Sequence, residues 1–240
     1  MRPLTERLPK ALVPVLGKPF VDWQLQLLAA QGVSRITFVL GYLGDQIRGH
    51  VGDGRRFGLH VRYVDEDDAL RGTGGALRLA YDEGALDDAF FLLNGDSYLR
   101  IDYAAVAAAW EARALPALMT VYRNEGRYDR SNAVFREGRV VLYDKRARSE
   151  LRAGMAWIDY GLSVLRTDVV RDWVPPGVVA DIADTMSALS RGGLLAGFEV
   201  EERFYEVGSP EGVHDLEEFL ARNAADAHAT GEGSRGAPSS

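Results

Sequence analysis

Four bulky apolar residues in succession, Phe90-Phe91-Leu92-Leu93, are followed at once by Asn94-Gly95-Asp96. A run without polar alternation reads as a strand buried on both faces, as happens when helices cover a parallel sheet. The expectation is an α/β fold with this strand near the middle of the sheet. The run ends in flexible backbone and a carboxylate, at the carboxyl edge where open α/β sheets bind their ligands. Asn-Gly by itself is equally a hairpin signal. Residues 102–113 (DYAAVAAAWEAR) decide between the two, because they are Ala-rich with apolar residues at helical spacing and so form a crossover helix.

The rest of the chain keeps that rhythm. Residues 20–31 (FVDWQLQLLAAQ) have helical spacing, with Gly32 as the stop. Residues 35–40 read as a strand, 44–51 as a short helix and 60–64 as another strand, the βαβ alternation of a parallel sheet. Arg71-Gly72-Thr73-Gly74-Gly75-Ala76 then leads into a helix at Leu77. Glycines there let the backbone approach a ligand and aim free N–H groups at it, but the same pattern also suits a hinge. Beyond the crossover helix, 116–123 form a strand, 132–135 and 139–143 a hairpin, and 155–165 a long strand. Asp159 lies inside that apolar strand, where a carboxylate needs a partner or a ligand. The hairpin ends at Asp144-Lys145, and the nearby Arg146, Arg148 and Arg152 read as a solvated charged face. Helices at 168–173 and 180–190, short strands at 196–200 and 203–207, and a closing helix over 210–221 follow. From Asn223 the composition shifts to Ala, Gly, Ser, Asp and Pro and reads as a disordered tail over 223–240, which leaves one domain over 1–222.

Composition narrows the chemistry. The absence of cysteine excludes disulfides, thiolate metal sites and a cysteine nucleophile, and the four histidines have no metal-ligand spacing. Oxygen-ligated metals remain open. There is no G-x-S-x-G elbow and no P-loop ending. A net charge of −7 argues against a broad nucleic-acid surface, so an anionic ligand must be held by a local group of cations. No apolar run reaches the length of about 18 residues that spans a bilayer. The expectation is a cytoplasmic protein without a membrane partner.

Six stretches, taken together and in order, resemble the sugar-phosphate nucleotidyltransferase family. They are RPLT with PKALVPVLGKP, LRGTGGAL, the LLNGD strand, YDKR, WIDYGLSVL and FYEVGSPEG. The resemblance implies a Rossmann-like, three-layer α/β domain with a mixed, mostly parallel sheet of the nucleotide-diphospho-sugar transferase type. It implies transfer of a nucleoside monophosphate from a nucleoside triphosphate to a sugar 1-phosphate, with pyrophosphate released. By the same resemblance, Asp96 matches a metal-binding Asp, Lys10 a phosphate-holding lysine, and Lys145 the lysine that contacts the sugar phosphate. Gly72, Thr73, Gly74 and Gly75 match the loop that lines the base, and Asn94 and Gly95 adjoin the substrates. Asp144 stands where the family has Glu, Glu206 where it has a second metal-binding Asp, and Asp159 where many relatives have Asn. Two carboxylates, Asp96 and Glu206, would then act through Mg²⁺, which takes oxygen ligands and bridges phosphates.

Two other readings keep part of this picture: a non-catalytic protein that binds a nucleotide or nucleotide sugar, and a cytidylyltransferase acting on another phosphate acceptor such as choline phosphate. The sequence does not choose among nucleotides or sugars, nor fix an oligomeric state. The family also begins with a strand and a Gly-x-Gly-Thr-Arg-like loop ahead of the stretch matching Arg2-Pro3-Leu4-Thr5. The expectation is that the coding sequence starts upstream, and that the 240-residue form is inactive or feeble.

Overall fold

The structure is a computed structural model that describes residues 7–66 and 71–232, so the Arg2-Pro3-Leu4-Thr5 stretch lies outside the described residues. The chain enters through a short turn at Lys10–Leu12 and a two-strand ribbon, β1 (Pro14–Val15) and β2 (Lys18–Pro19), before helix α1 (Phe20–Ala30). Strand β3 (Arg35–Leu40), helix α2 (Gly44–Val51) and strand β4 (His60–Asp65) form a βαβ unit whose strands pair in parallel. Helix α3 (Gly72–Asp82), strand β5 (Ala89–Leu93), the short β6 (Ser97–Tyr98) and the crossover helix α4 (Tyr103–Arg113) come next. Asp102 caps α4 by accepting from the Ala105 N–H, which explains why that helix starts where it does. Then come β7 (Ala117–Arg123), the hairpin β8 (Ala133–Arg136) and β9 (Arg139–Tyr143), α5 (Ser149–Arg152), β10 (Trp157–Arg166), α6 (Thr167–Trp173), α7 (Ile182–Arg191), β11 (Leu195–Val200), β12 (Tyr205–Glu206) and α8 (Pro210–Glu232).

The main sheet has the order β5-β10-β7-β11-β9-β8. Strand β10 is antiparallel to β5, β7 and β8, whereas β11 is parallel to β7 and antiparallel to β9. Strands β5, β7, β8 and β11 therefore share one direction and β9 and β10 oppose it, so β7–β11 is the one parallel pairing in this sheet, which is mixed as expected but, because β10 and β9 run between like-directed strands, mainly antiparallel and not mostly parallel. Alternate side chains feed two cores. Phe91, Leu93, Leu118, Tyr160 and Leu162 pack with Leu28, Tyr103 and Val106 on one face. Phe90, Leu92, Met119 and Val121 pack with Val169, Met186 and Leu189 on the other. The result is a helix–sheet–helix sandwich of three layers.

Four other expectations need correction. The FFLL strand, β5, is the edge of its sheet and not its middle, and all five of its residues are only half-buried. It pairs with β10 on one side, while a cavity of about 690 Å³ on the other separates it from β3. The glycines at 72–75 form the first turn of α3 and not a loop before it, because their lack of side chains lets that turn pack against the backbone near Ala180. The strand expected over 203–207 pairs through only two residues, Tyr205 with Tyr98 and Glu206 with Ser97. Finally, α8 does not stop at Ala221 but continues to Glu232. The Ala-rich residues 224–229 suit a helix, since alanine is the best helix former, and a composition reading that pooled Ala with Gly and Ser missed it.

Candidate active site

Asp96 follows the carboxyl end of β5 and makes an ion pair with Lys10, Nζ to Oδ2 2.7 Å. Its loop is pinned from below. The buried Gln24 of α1 donates Nε2 to the carbonyls of Asn94 (3.2 Å) and Ser97 (2.9 Å), so Asn94 and Gly95 are exposed on a backbone that cannot wander. The antiparallel pair β6–β12 sets Glu206 opposite Ser97, and the Val207 N–H donates to the Asp96 carbonyl at 2.9 Å. The two carboxylates thus sit on neighbouring positions of paired strands. A third apolar cluster, with Val15, Phe20, Tyr98, Tyr205, Val207, Leu216 and Leu220, anchors that pair beneath α8. A Cβ at Gly212 would lie 2.1 Å from the Glu206 carbonyl, so only glycine lets the first turn of α8 approach this closely.

Burial pushes the Glu206 carboxyl above its ordinary value, the Asp96 charge pushes it further, and Lys10 offsets part of the rise. Glu206 keeps exposed surface of its own, but the walls around it displace enough water to matter. Asp129 and Asp159 add to the same rise, which puts Asp159 within electrostatic reach of Glu206.

Asp159 is aimed by a bulge. The β10–β7 register shifts between Asp159 and Ser163, with Gly161 at φ +101°, a backbone that favours glycine. The Asp159 carboxylate accepts from the Gly161 N–H at 3.0 Å and the Tyr143 hydroxyl at 3.3 Å, and its own N–H donates to Asn132 Oδ1 at 2.9 Å. Burial raises its pKa, against the pull of those hydrogen bonds and of Lys145. Lys145 reaches Asp181 at 3.7 Å. The Asp144 carboxylate accepts from the Arg146 N–H at 2.9 Å and pairs with Arg191 at 3.1 Å.

The Gly72–Gly75 turn joins this second group through Thr73, whose hydroxyl donates to Asp181 Oδ1 at 2.9 Å. The N–H groups of Gly74 and Gly75 are not free, since both donate to the Ala180 carbonyl at 2.8 and 3.2 Å. A Cβ at Gly72 or Gly75 would meet the Ala180 or Val178 carbonyl oxygen at 2.5 or 2.7 Å, so packing alone demands glycine there. Asp181 caps α7. Burial would raise its carboxyl, yet the Ala183 N–H, the Thr73 hydroxyl and the charges of Lys145 and Arg146 together hold it below the usual range.

The structure therefore gathers Lys10, Asn94, Gly95, Asp96 and Glu206 into one group, and Thr73, Lys145, Asp159 and Asp181 into a second. Asp144 belongs to neither. Gln24, Asn132, Tyr143 and Asp181 were not foreseen from sequence. Only Asp181 left a legible signal there, an acidic residue immediately before an apolar-periodic helix. Among the described residues no cluster of three or more His, Cys, Asp and Glu encloses an ion. The Asp96–Glu206 pair still suits a hard cation such as Mg²⁺, which binds through one or two carboxylates and takes its other ligands from phosphates and water.

The chain is similar to known proteins in sequence and in fold. The chain is 27% identical over 76% of its length to the UTP–glucose-1-phosphate uridylyltransferase of Synechocystis, of which it spans only 50%. It is 28% identical to the N-acetylmuramate alpha-1-phosphate uridylyltransferase of Neisseria meningitidis, with 87% of this chain and 88% of that protein aligned. In fold it resembles HddC from Yersinia pseudotuberculosis, with a TM-score of 0.72 at 22% identity, covering 89% of this chain and 91% of that one. No helix among the described residues is long and apolar enough to cross a membrane. The sequence profile of the MobA-like NTP transferase domain matches residues 4–171, more than half of the chain, and the chain belongs to that family.

Proposed function

We propose that this chain transfers a nucleoside monophosphate from a nucleoside triphosphate to a sugar 1-phosphate, forming a nucleotide sugar and releasing pyrophosphate. The observation that carries the reading is the Lys10–Asp96 pair at 2.7 Å, with Glu206 on the next strand and Lys145 and Asp159 within the same electrostatic neighbourhood. Two anionic substrates must meet in one place, and cations and carboxylates alternate there. A phosphate oxygen of the acceptor attacks the α-phosphorus, a new P–O bond forms, and the bond to the β-phosphate oxygen breaks as pyrophosphate departs. The acceptor is already an anion, so positioning and charge stabilisation matter more than a general base. The lack of a poised histidine or cysteine is consistent with this.

The residues divide the work between the two groups. Lys10 balances Asp96 until the triphosphate arrives and then turns to its phosphates. Lys145 holds the acceptor phosphate, and Asp159 accepts from a sugar hydroxyl, its free acceptor capacity directed by the Gly161 bulge. Thr73 and the turn at Gly72–Gly75 border the base. Mg²⁺ held by Asp96 and Glu206 would neutralise phosphate charge during the transfer. A cytoplasmic location, where triphosphates are abundant, belongs to the same proposal.

The test is pyrophosphate release with UTP, GTP, CTP and dTTP against a panel of acceptors. Glucose 1-phosphate and N-acetylmuramate 1-phosphate come first, because the relatives named above act on them, with choline phosphate as an acceptor of another class. Release that requires a sugar 1-phosphate supports the reading. Release with choline phosphate alone, or nucleotide binding without any release, contradicts it.

A further inference from the structure

A second cavity, of about 530 Å³, opens between the β7–β8 loop and the end of α5. Asp129, Arg130 and Ser131 line it from the loop, and Arg152 and Met155 from the other wall. The loop is wound on a fully buried side chain. Asn124 Nδ2 donates to the Asp129 carbonyl at 2.6 Å and to the Ser131 hydroxyl at 3.2 Å, and its Oδ1 accepts from the Tyr128 N–H at 3.1 Å. A buried amide satisfied in this way fixes the shape of the loop around it.

The cavity adjoins the site on two sides. Asn132, next to Ser131, accepts from the Asp159 N–H at 2.9 Å. Arg203 lies over the rings of Tyr128 and Tyr205, at 4.6 and 4.5 Å, and so fastens the loop to the strand that carries Glu206. The Asp129 charge accordingly contributes to the rise of the Glu206 carboxyl.

The charges of the lining do not cancel. Glu125 is already paired with Arg123 at 2.9 Å and with Arg127 at 3.1 Å. That leaves the Asp129 carboxylate against two guanidinium groups, Arg130 and Arg152. The half-buried Arg152 donates Nη2 to the Ala147 carbonyl at 2.6 Å, and among the described residues neither arginine has an acidic partner. In a chain of net charge −7, such a local excess of cation is what an anionic group requires. A guanidinium presents paired N–H donors that match the two oxygens of a carboxylate.

We propose that this cavity receives a carboxylate carried by the acceptor, held by Arg130 and Arg152, so that the preferred acceptor is an acidic sugar 1-phosphate. The inference rests on the proposed transfer reaction and narrows its acceptor. Lys145 would hold the phosphate, Asp159 a ring hydroxyl and the two arginines the carboxylate, which fixes the sugar at three points.

Pyrophosphate release tests it on two matched pairs of acceptors: glucuronate 1-phosphate against glucose 1-phosphate, and N-acetylmuramate 1-phosphate against N-acetylglucosamine 1-phosphate. Within each pair the members differ by a carboxylate-bearing group. The expected result is that, in at least one pair, the acidic member has a kcat/KM about tenfold or more above its neutral counterpart, mainly through KM. The favoured pair reports which point on the ring faces the arginines. In Arg130→Gln and Arg152→Gln that ratio should fall towards one, and Arg130→Lys and Arg152→Lys should keep part of it, because the charge persists. Turnover of the neutral acceptors with no acidic preference overturns this inference and leaves the transfer reaction standing, as does a ratio that neither glutamine variant moves. No release from any of the four acceptors overturns the transfer reaction and this inference with it.

Discussion

Glu206 pairs across the strands with Ser97, the residue after Asp96, and its raised pKa has a direct consequence for stability. Above the ordinary value of 4.5, the unfolded chain has lost the proton that the folded chain still holds, so stability falls as pH rises through that window. Glu206→Gln should therefore flatten the decline and melt higher than the parent at neutral pH, as read by thermal scans between pH 4 and 8. Added Mg²⁺ should raise the parent's melting temperature and leave the variant nearly unmoved; equal shifts would remove Glu206 from the cation site. Lys145 makes a contact of a different kind. Lys145→Ala should raise the acceptor KM and lower kcat together, because a point charge on a phosphate acts in both the bound state and the transition state. An unchanged kcat/KM would place that lysine outside the site.

At the scale of elements, α3 and α7 are held by the approach of Gly72–Gly75 to the Ala180 backbone and by the Thr73–Asp181 hydrogen bond. Gly72 has φ +68° and no room for a Cβ, so Gly72→Ala should cost about 1–3 kcal/mol in denaturant unfolding. Asp181→Ala should cost about 1 kcal/mol through the lost cap, and Asp181→Asn much less, because asparagine caps as well as aspartate. These elements also show what the sequence revealed and what it hid. The spacing of apolar residues marked α1, β3, α2, β4 and α4 within a residue or two, because each buries one face and the pattern records it. The glycines at 72–75 were legible as a close approach, but the partner was read as a ligand when it is the Ala180 backbone. A contact over a hundred residues away leaves no local trace. The same reason hid Gln24, whose value lies in two carbonyls beyond residue 93. Asp96 and Glu206 stood out because each ends an apolar strand next to a glycine, whereas Lys10 and Lys145 were singled out by the family resemblance. Asp144 was singled out in the same way, and it is turned to Arg191.

For the whole molecule, the question is how the site depends on the sheet that carries it. Asp96 extends from β5, which among the described residues pairs with β10 alone. The central claim is nucleotidyl transfer at the Asp96–Glu206 pair, and pyrophosphate release measured with and without Asp96→Asn tests it most directly. The account predicts acceptor-dependent release that falls at least about 100-fold in the Asp96→Asn variant while its folded spectrum is retained, since a neutral amide keeps the shape and loses the charge that holds a cation. Release that survives Asp96→Asn, or no release with any triphosphate and sugar 1-phosphate, would contradict it.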